Sequence, residues 1–230
     1  LREMDIFQSE ENDENKEELL KKSIDLLVQI QNANIKEIIK FSETDLINQM
    51  LLYKDIFLKD FLNVEINSSI DDLISSTIDN LKSHPWTNCH FDYERRNLIL
   101  GKNQKVTAID YQDMKIGPIG IDIAGILIDH YYPFDNRLIN NLLTYYSKKI
   151  NLKHNTNALY DFLRYGCIQR NMRILGTLSN LYLTQKRSFR VKDLPMIVSN
   201  LANMIPDSFN SKDHICNLVQ PALQKRISQI

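Results

Sequence analysis

Glycine is scarce in this chain and unevenly placed, with six glycines in 230 residues and the first of them at Gly101. Rossmann and Walker phosphate-binding loops need glycine, because only a residue without a side chain lets backbone N–H groups come so close to a phosphate. The absence of glycine from the first hundred residues therefore excludes both kinds of loop from that part of the chain.

Cysteine is also rare. The three cysteines, Cys89, Cys167 and Cys216, are scattered, and no two of them form a CxxC pair. An odd and scattered set indicates neither a disulfide framework nor a zinc site. Unpaired cysteines are typical of a reducing compartment, so we expect the protein to act in the cytoplasm.

The chain lacks both an excess of charge and a long apolar run. A net charge of −1 argues against a protein that binds nucleic acid through a whole-molecule basic field. The most apolar stretch, around 116–128, is interrupted by Asp122 and is shorter than the roughly 18 residues that a membrane span requires. The N-terminal residues are acidic, whereas a secretory leader is basic and then apolar. We expect neither a nucleic-acid partner nor a membrane partner.

Helical periodicity, by contrast, is abundant. Apolar content of 43% and charged content of 25% are typical of a globular protein that folds without a disulfide or a metal. We predict a mainly α-helical unit with a small β-hairpin in its middle, in which strands 97–100 and 105–109 flank a glycine-bearing turn. Apolar residues recur at helical spacing around 20–28, 43–62, 68–81, 122–131, 135–149, 156–183, 191–204 and 212–228.

Three polar side chains in the middle of the chain form a candidate site. Asp92 and Asn97 lie five residues apart on a loop, and Asp110 follows the second strand of the predicted hairpin. Because a hairpin brings its two ends together, we expect Asn97 and Asp110 to lie side by side with Asp92 nearby. Two such oxygen donors suit Mg²⁺, and the remaining aspartate could accept a proton from a hydroxyl. Phosphoryl transfer needs this division of labour.

A simpler interpretation fits the same residues. Aspartate and asparagine favour turns because their side chains hydrogen-bond to the local backbone, and polar residues are common in loops. A bare D-x4-N…D spacing also occurs by accident in many chains. The spacing alone therefore does not decide between a catalytic site and an ordinary polar loop.

The surrounding residues resemble a known family. Aminoglycoside phosphotransferase-like kinases, which are relatives of protein kinases, carry the pattern His-x-Asp-x-x-x-x-Asn, then a hairpin, then Ile-Asp. His90, Asp92, Asn97, Ile109 and Asp110 match every position of that pattern. The similarity is closest to the branch of bacterial anomeric kinases that phosphorylate N-acetylmuramate and N-acetylglucosamine in cell-wall recycling. Segments of that branch are similar to 57–62 (FLKDFL), 109–124 (IDYQDMKIGPIGIDIA), 168–176 (IQRNMRILG) and 191–195 (VKDLP).

The resemblance implies a role for each matched residue. Asp92 would be the catalytic base that accepts the hydroxyl proton, and Asn97 and Asp110 would be the Mg²⁺ ligands that hold the ATP phosphates. His90 and Asp122 would support the loop as buried hydrogen-bonding residues. The implied partners are a nucleotide and a small hydroxylated substrate. The implied activity is ATP- and Mg²⁺-dependent transfer of the γ-phosphoryl group to a hydroxyl, with the anomeric hydroxyl of an amino sugar as the first candidate.

The chain also departs from the sugar-kinase pattern. Phe91, Glu94 and Arg95 stand where that branch has arginine, histidine and serine, and Ile121 replaces a tyrosine. The residues assigned to the base and the metal are retained, whereas those flanking the acceptor hydroxyl differ. An aminoglycoside or a choline-like alcohol is therefore an alternative acceptor. A binding module that has the fold without the activity is an alternative of another class.

The resemblance implies a second lobe as well. In kinase-like folds an N-terminal β-rich lobe supplies the loop over the phosphates and a lysine that binds them. Nothing before Asp92 looks like that lobe, and residues 1–4 resemble the end of the strand that leads out of it. We therefore expect residues 1–230 to be the helical C-terminal lobe of a protein-kinase-like α+β fold, with the catalytic loop at 90–97 and the metal-binding segment at 109–113. Alone, this lobe would bind ATP poorly and would be inactive.

Overall fold

In the computed structural model the chain is described over residues 2–3, 13–101, 103–150 and 156–230. Over these residues it is mainly α-helical, with strands confined to two small antiparallel sheets. Two compact units form, the first from Leu1–Phe41 and His84–Gly166 and the second from Ser42–Ser83 and Cys167–Ile230. The composition of the sequence, which is even along the chain, does not predict this division. The candidate site lies in the first unit.

The elements follow one another in a simple order. Two 3₁₀ turns lie over Arg95–Asn97 and over Ser188–Asp193. Two segments, Tyr53–Phe61 and Ile215–Val219, have π-helical geometry and directly continue the α-helices before them. The strands and α-helices are β1 (Arg2–Glu3), α1 (Asp13–Asn32), α2 (Glu43–Leu52), α3 (Ser68–Ser83), β2 (Trp86–Cys89), β3 (Leu98–Leu100), β4 (Val106–Ala108), β5 (Lys115–Pro118), α4 (Gly120–Leu127), α5 (Asn136–Lys149), α6 (Thr156–Gln185), α7 (Leu194–Met204), α8 (Asn210–His214) and α9 (Gln220–Ile227).

The predicted hairpin is confirmed as the pair β3 and β4, each one or two residues shorter than expected. The two strands are antiparallel, with Leu98 opposite Ala108 and Leu100 opposite Val106. Leu98, Leu100 and Val106 are buried, because alternate strand residues point to one face and these three face the core. On its other side β3 pairs with Arg2–Glu3, the only part of the predicted hinge strand at residues 1–4 that lies within the described residues.

A second sheet, formed by β2 and β5, was not predicted. Trp86 pairs with Pro118 and Cys89 with Lys115, so this sheet lies directly before the loop 90–97 and directly after the segment 109–113. Gly117 and Pro118 end β5, although a glycine-proline pair is more typical of a turn. A Cβ atom at position 117 would lie 2.5 Å from the ring of Phe91, so any larger residue there would require this buried ring to move.

Helix α4 carries Asp122 and is buried over its whole length. It ends at Leu127, whereas apolar periodicity predicts a helix as far as residue 131. It begins earlier than predicted, at Gly120, where a Cβ atom would lie 1.9 Å from the carbonyl oxygen of Phe162 on α6. The glycine thus lets two backbones meet, and this close packing fixes the helix that bears Asp122.

The second unit is built from helices alone in its described residues. The predicted helix 43–62 is confirmed as α2 with its π-helical continuation, along which Tyr53, Phe57 and Phe61 stack in sequence. The predicted helix at 191–204 begins only at Leu194, after the 3₁₀ turn, with Pro195 in its first turn, where proline is tolerated. In the described part of the chain, neither unit has a helix with the length and hydropathy of a membrane span.

Candidate active site

A buried carboxylate holds the start of the loop 90–97. Asp122 is 1% exposed, and its Oδ2 and Oδ1 accept the backbone N–H groups of His90 (2.6 Å) and Phe91 (2.8 Å). Strand β2 ends at Cys89, so these two N–H groups lie beyond the sheet that would otherwise satisfy them. A buried donor without an acceptor is costly, and Asp122 removes that cost at the point where the loop begins.

The loop turns sharply at its second residue. Phe91 has a φ of 64°, in the left-handed region that a bulky side chain rarely adopts. Its ring is buried against Gly117 and against Phe41, with the two ring centres 4.7 Å apart. The packed ring and the bond to Asp122 together hold a backbone conformation that would not persist alone, and this conformation sets the direction of Asp92.

Asp92 and Asn97 are in direct contact across the loop. The Nδ2 group of Asn97 donates to the carbonyl oxygen of Asp92 at 2.9 Å and to its carboxylate Oδ2 at 3.0 Å. Both side chains are half-buried. The amide of Asn97 therefore fixes one oxygen of the Asp92 carboxylate. The Oδ1 atom of Asn97 accepts no hydrogen bond within the described residues.

Asp110 is tied to the same loop by its neighbour in the chain. The N–H of Ile109 donates to the carbonyl oxygen of Asn97 at 2.9 Å, and the carbonyl oxygen of Ile109 lies 2.9 Å from Nε2 of His90. Asp110 follows with a φ of 64° and an exposed side chain, whose Oδ1 accepts Nε2 of Gln112 at 2.5 Å. The hairpin thus places Ile109, the neighbour of Asp110, in backbone contact with Asn97.

The ion pairs made by charged residues of this loop were not predicted from the sequence. Both Nε and Nη2 of Arg96 donate to Oε1 of the buried Glu94. Partial burial lowers the pKa of Arg96, but the charges of Glu94 and Asp92 and the hydrogen bond outweigh that effect and raise the pKa above its ordinary value. Arg95 is buried and pairs with Asp129. The sequence feature that could have indicated a buried ion pair is Arg95 itself, a large charged residue where the sugar-kinase branch has a serine.

The family follows from a comparison with known proteins. A family model described as the phosphotransferase enzyme family matches residues 4–163, which is more than half of the chain. The chain belongs to this phosphotransferase family. The matched region contains the loop 90–97, Asp110 and Asp122, and the match confirms the resemblance to aminoglycoside phosphotransferase-like kinases.

One curated phosphotransferase is similar over most of the chain. The N-acetylmuramate/N-acetylglucosamine kinase of Neisseria meningitidis serogroup B is 22% identical over 193 residues, which cover 80% of this chain and 58% of that kinase. The chain thus spans less than two thirds of the relative's length. The match agrees with the branch that the sequence resembles, but the activity of a whole protein does not follow from it.

Solved phosphotransferase structures share the fold. The choline kinase LicA from Streptococcus pneumoniae, in complex with AMP, aligns with a TM-score of 0.61 at 14% identity, covering 84% of this chain and 65% of that one. The gentamicin complex of the phosphotransferase APH(2'')-IIa aligns with a TM-score of 0.54 at 16% identity, covering 87% and 66%. At such low identity the likeness concerns the fold alone, and it confirms the predicted kinase-like fold class.

Two side chains of the candidate site are of the kind that suits a magnesium ion. Among the described residues no three His, Cys, Asp or Glu side chains form a complete metal site. Oδ1 of Asn97 and the carboxylate of Asp110 are hard oxygen donors of the kind Mg²⁺ prefers, and Mg²⁺ usually takes its other ligands from phosphates and water. An incomplete protein site of this composition fits a metal that binds together with a nucleotide.

Cys89, directly before the loop, is not equipped to act as a nucleophile. Its side chain is fully buried, and burial, followed by the charge of Asp122, raises the pKa of the thiol well above its ordinary value. Burial and Asp122 likewise raise the pKa of Tyr93. Both side chains are therefore neutral at physiological pH, and Cys89 packs as a small apolar residue.

Proposed function

We propose that the full-length protein is an ATP- and Mg²⁺-dependent kinase that transfers the γ-phosphoryl group to a hydroxyl of a small molecule. The observation that carries this proposal is the 3.0 Å contact between the Asn97 amide and the Asp92 carboxylate, with Asp110 tied to the same loop through Ile109. One small region thus combines an acidic proton acceptor with two oxygen ligands, the parts that phosphoryl transfer requires.

Asp92 is the proposed base. As the acceptor oxygen forms its bond to the γ-phosphorus, the bond from that phosphorus to the bridging oxygen of ATP breaks and ADP leaves. The hydroxyl proton passes to the Asp92 carboxylate, which the Asn97 amide holds in place through Oδ2. Such a positioned base contributes about 10²- to 10⁴-fold to a rate.

Asn97 and Asp110 are the proposed metal ligands. When bound, Mg²⁺ neutralises charge on the phosphoryl group that is transferred. Asn97 would present Oδ1 while its Nδ2 keeps hold of Asp92, so that a single side chain links the metal to the base. Gln112 donates to Asp110 and would orient its carboxylate towards the metal.

The domain assignment belongs to the same proposal. We assign both units to the helical C-terminal lobe of a kinase and expect a β-rich lobe of the full-length protein to supply the phosphate loop and its lysine. In support, the chain covers only 58% of the Neisseria kinase and 65% of the choline kinase. We retain the cytoplasm as the proposed location, because ATP is available there and none of the three cysteines forms a disulfide.

An amino sugar is the proposed acceptor, at its anomeric hydroxyl. The similarity to the N-acetylmuramate/N-acetylglucosamine kinase supports this choice. Choline-like alcohols and aminoglycosides are the alternatives within the enzyme class, because a choline kinase and an aminoglycoside phosphotransferase share the fold. Phe91, Glu94 and Arg95, which flank Asp92, depart from the sugar-kinase pattern and leave the acceptor to experiment.

The test is a phosphorylation screen of the full-length protein. MgATP is supplied with N-acetylmuramate, N-acetylglucosamine, choline or gentamicin, and the phosphorylated product is detected by mass spectrometry. We expect a sugar phosphate, and Asp92→Asn should lower kcat by about 10²- to 10⁴-fold. Asp72→Asn, an exposed acid on α3, is the matched control and should leave kcat unchanged.

The outcomes separate the candidates. A phosphorylated product with choline or gentamicin alone would contradict the amino sugar as acceptor and would support the kinase activity. If Asp92→Asn leaves kcat unchanged, Asp92 is not the catalytic base. Failure to phosphorylate any acceptor, together with normal MgATP binding, would favour a binding module without catalytic activity.

A further inference from the structure

Two adjacent arginines of the loop 90–97 have opposite environments. Arg95 has a side-chain exposure of 2%, and its Nε lies 3.1 Å from Oδ2 of Asp129, which is 6% exposed. The Arg96 side chain is 41% exposed and pairs with Glu94. A charge as deeply buried as that of Arg95 persists only with a partner, because desolvation is so costly. The ion pair therefore anchors the loop to the segment that follows α4.

One aromatic ring connects the two arginines. The guanidinium carbons of Arg95 and Arg96 lie 5.1 Å and 4.7 Å from the ring centre of Tyr131, within cation–π range. The backbone N–H of Tyr131 donates to Oδ1 of Asp129 at 2.6 Å. The same carboxylate thus holds Arg95 with one oxygen and the backbone of Tyr131 with the other.

Arg96 in turn belongs to the surroundings of the proposed base. Its partner Glu94 donates its backbone N–H to the carbonyl oxygen of Asp92 at 2.9 Å and accepts the N–H of Asn97 at 2.9 Å. A shift of Arg96 or Glu94 would therefore be transmitted to both Asp92 and Asn97. The contacts run without a gap from the buried ion pair, through Tyr131, to the base.

We propose that Arg95 is a positioning residue, which through Asp129 and Tyr131 fixes Arg96 and Glu94 and so sets the geometry of Asp92. This inference rests on the proposed function, since it assigns Arg95 a part in phosphoryl transfer. A serine, which the sugar-kinase branch carries at this position, is too short to form the same pair. The chain thus stabilises its loop with a buried ion pair of its own.

The experiment removes both charges together in the full-length protein. In the double variant Arg95→Met/Asp129→Asn, the methionine keeps apolar volume against Tyr131 and the asparagine keeps an acceptor for its N–H. Neither partner is left as an unpaired buried charge. We expect kcat to fall by about 10- to 100-fold, the usual cost of a misplaced reacting group, with KM for ATP unchanged.

A matched control shows that the effect is local. Arg190 and Asp193 form another partly buried pair, in the second unit, with Nε and Oδ2 2.6 Å apart. Arg190→Met/Asp193→Asn should leave kcat unchanged. An independent readout is hydrogen exchange of the peptide containing 90–97, which should become faster in the first double variant and stay as in the wild type in the control.

The results distinguish this inference from the proposed function. An unchanged kcat with unchanged exchange in 90–97 would overturn the positioning role even where the wild type is an active kinase. A wild type that phosphorylates no acceptor would overturn the proposed function, and exchange alone would then decide whether the ion pair orders the loop. If the double variant does not fold, Arg95→Lys replaces it. Lysine keeps the charge but loses the planar stacking on Tyr131, so a kcat equal to that of the wild type would overturn the inference.

Discussion

The two ends of the candidate site are built differently. At the Asp92 end, the buried carboxylate of Asp122 accepts two backbone N–H groups, and the ring of Phe91 is packed into the core. The amide of Asn97 donates a hydrogen bond to the Asp92 carboxylate. At the other end Asp110 is exposed, and the hydrogen bond to its side chain comes from the equally exposed Gln112. Both Asp110 and Phe91 have a φ of 64°, yet only Phe91 is packed into the core.

Under the proposed function, this difference corresponds to a part that is aligned in advance and a part that the ligand completes. A base must be aligned before the acceptor arrives, and buried hydrogen bonds supply that alignment in advance. A metal ligand that shares its ion with ATP phosphates gains its remaining partners only when they bind. We therefore expect mutations at the Asp92 end to affect folding and rate together, and mutations at Asp110 to affect ligand binding alone.

The largest expected effect on stability is that of Asp122→Ala. It leaves the N–H groups of His90 and Phe91 buried without an acceptor, and two such groups cost about 3 kcal/mol or more of the free energy of unfolding. Asp122→Asn retains one acceptor oxygen and should lose roughly half as much. Urea unfolding of the full-length protein measures both. A loss below about 1 kcal/mol for Asp122→Ala would mean that the loop is not held by this carboxylate.

The next effect on stability is expected from pH at His84, a buried residue two positions before β2 begins. Its ring packs on Phe162 with centres 4.5 Å apart, and burial lowers the pKa of His84 to about 4. The unfolded chain, with an ordinary histidine pKa near 6.5, binds more protons between pH 6.5 and 4. Stability should therefore fall as the pH drops through this window.

The measurement is the thermal midpoint of the wild type and of His84→Phe between pH 7 and 4. The variant cannot take up the proton, so its midpoint should fall less steeply over that range. Identical slopes for the two proteins would show that His84 does not contribute to the pH dependence.

The smallest effect on stability is expected from Asp110→Asn. Asparagine tolerates the left-handed backbone that Asp110 adopts, and the side chain is exposed, so the free energy of unfolding should change by no more than about 0.5 kcal/mol. ATP binding should nevertheless lose its dependence on Mg²⁺, measured by calorimetry with and without the metal. Normal Mg²⁺-dependent ATP binding in this variant would contradict the assignment of Asp110 as a metal ligand. A large loss of stability would contradict the view that the Asp110 end contributes little to the fold.

The sequence predicted those features that depend on residues close together in the chain. The hairpin of β3 and β4 followed from two short apolar runs and a turn, and its register brings the backbone N–H of Ile109, next to Asp110, to the carbonyl oxygen of Asn97. The helices followed from apolar spacing, although the ends of α4 did not, because all its residues are buried and no polar face marks a boundary. The family followed from the residues of 90–97 and 109–110, which the comparison confirmed.

Features that join distant residues were not predicted. Strand β2 is only four residues long and mixes polar with apolar side chains, so its pairing with β5 leaves no pattern in either segment. Arg95 and Asp129 lie on different elements, and neither residue alone indicates that a buried partner exists. The left-handed turn at Phe91 depends on a bond to Asp122 and on space beside Gly117.

Local order and family membership were thus determined by the sequence itself, through helical periodicity, one hairpin and the residue types that the family pattern shares. The tertiary structure alone decided which of those residues are buried and hydrogen-bonded and which are exposed. The physical reason is that periodicity and turn preference act between near neighbours. The burial of a carboxylate or a guanidinium, which makes its hydrogen bonds obligatory, depends on segments far apart in the chain.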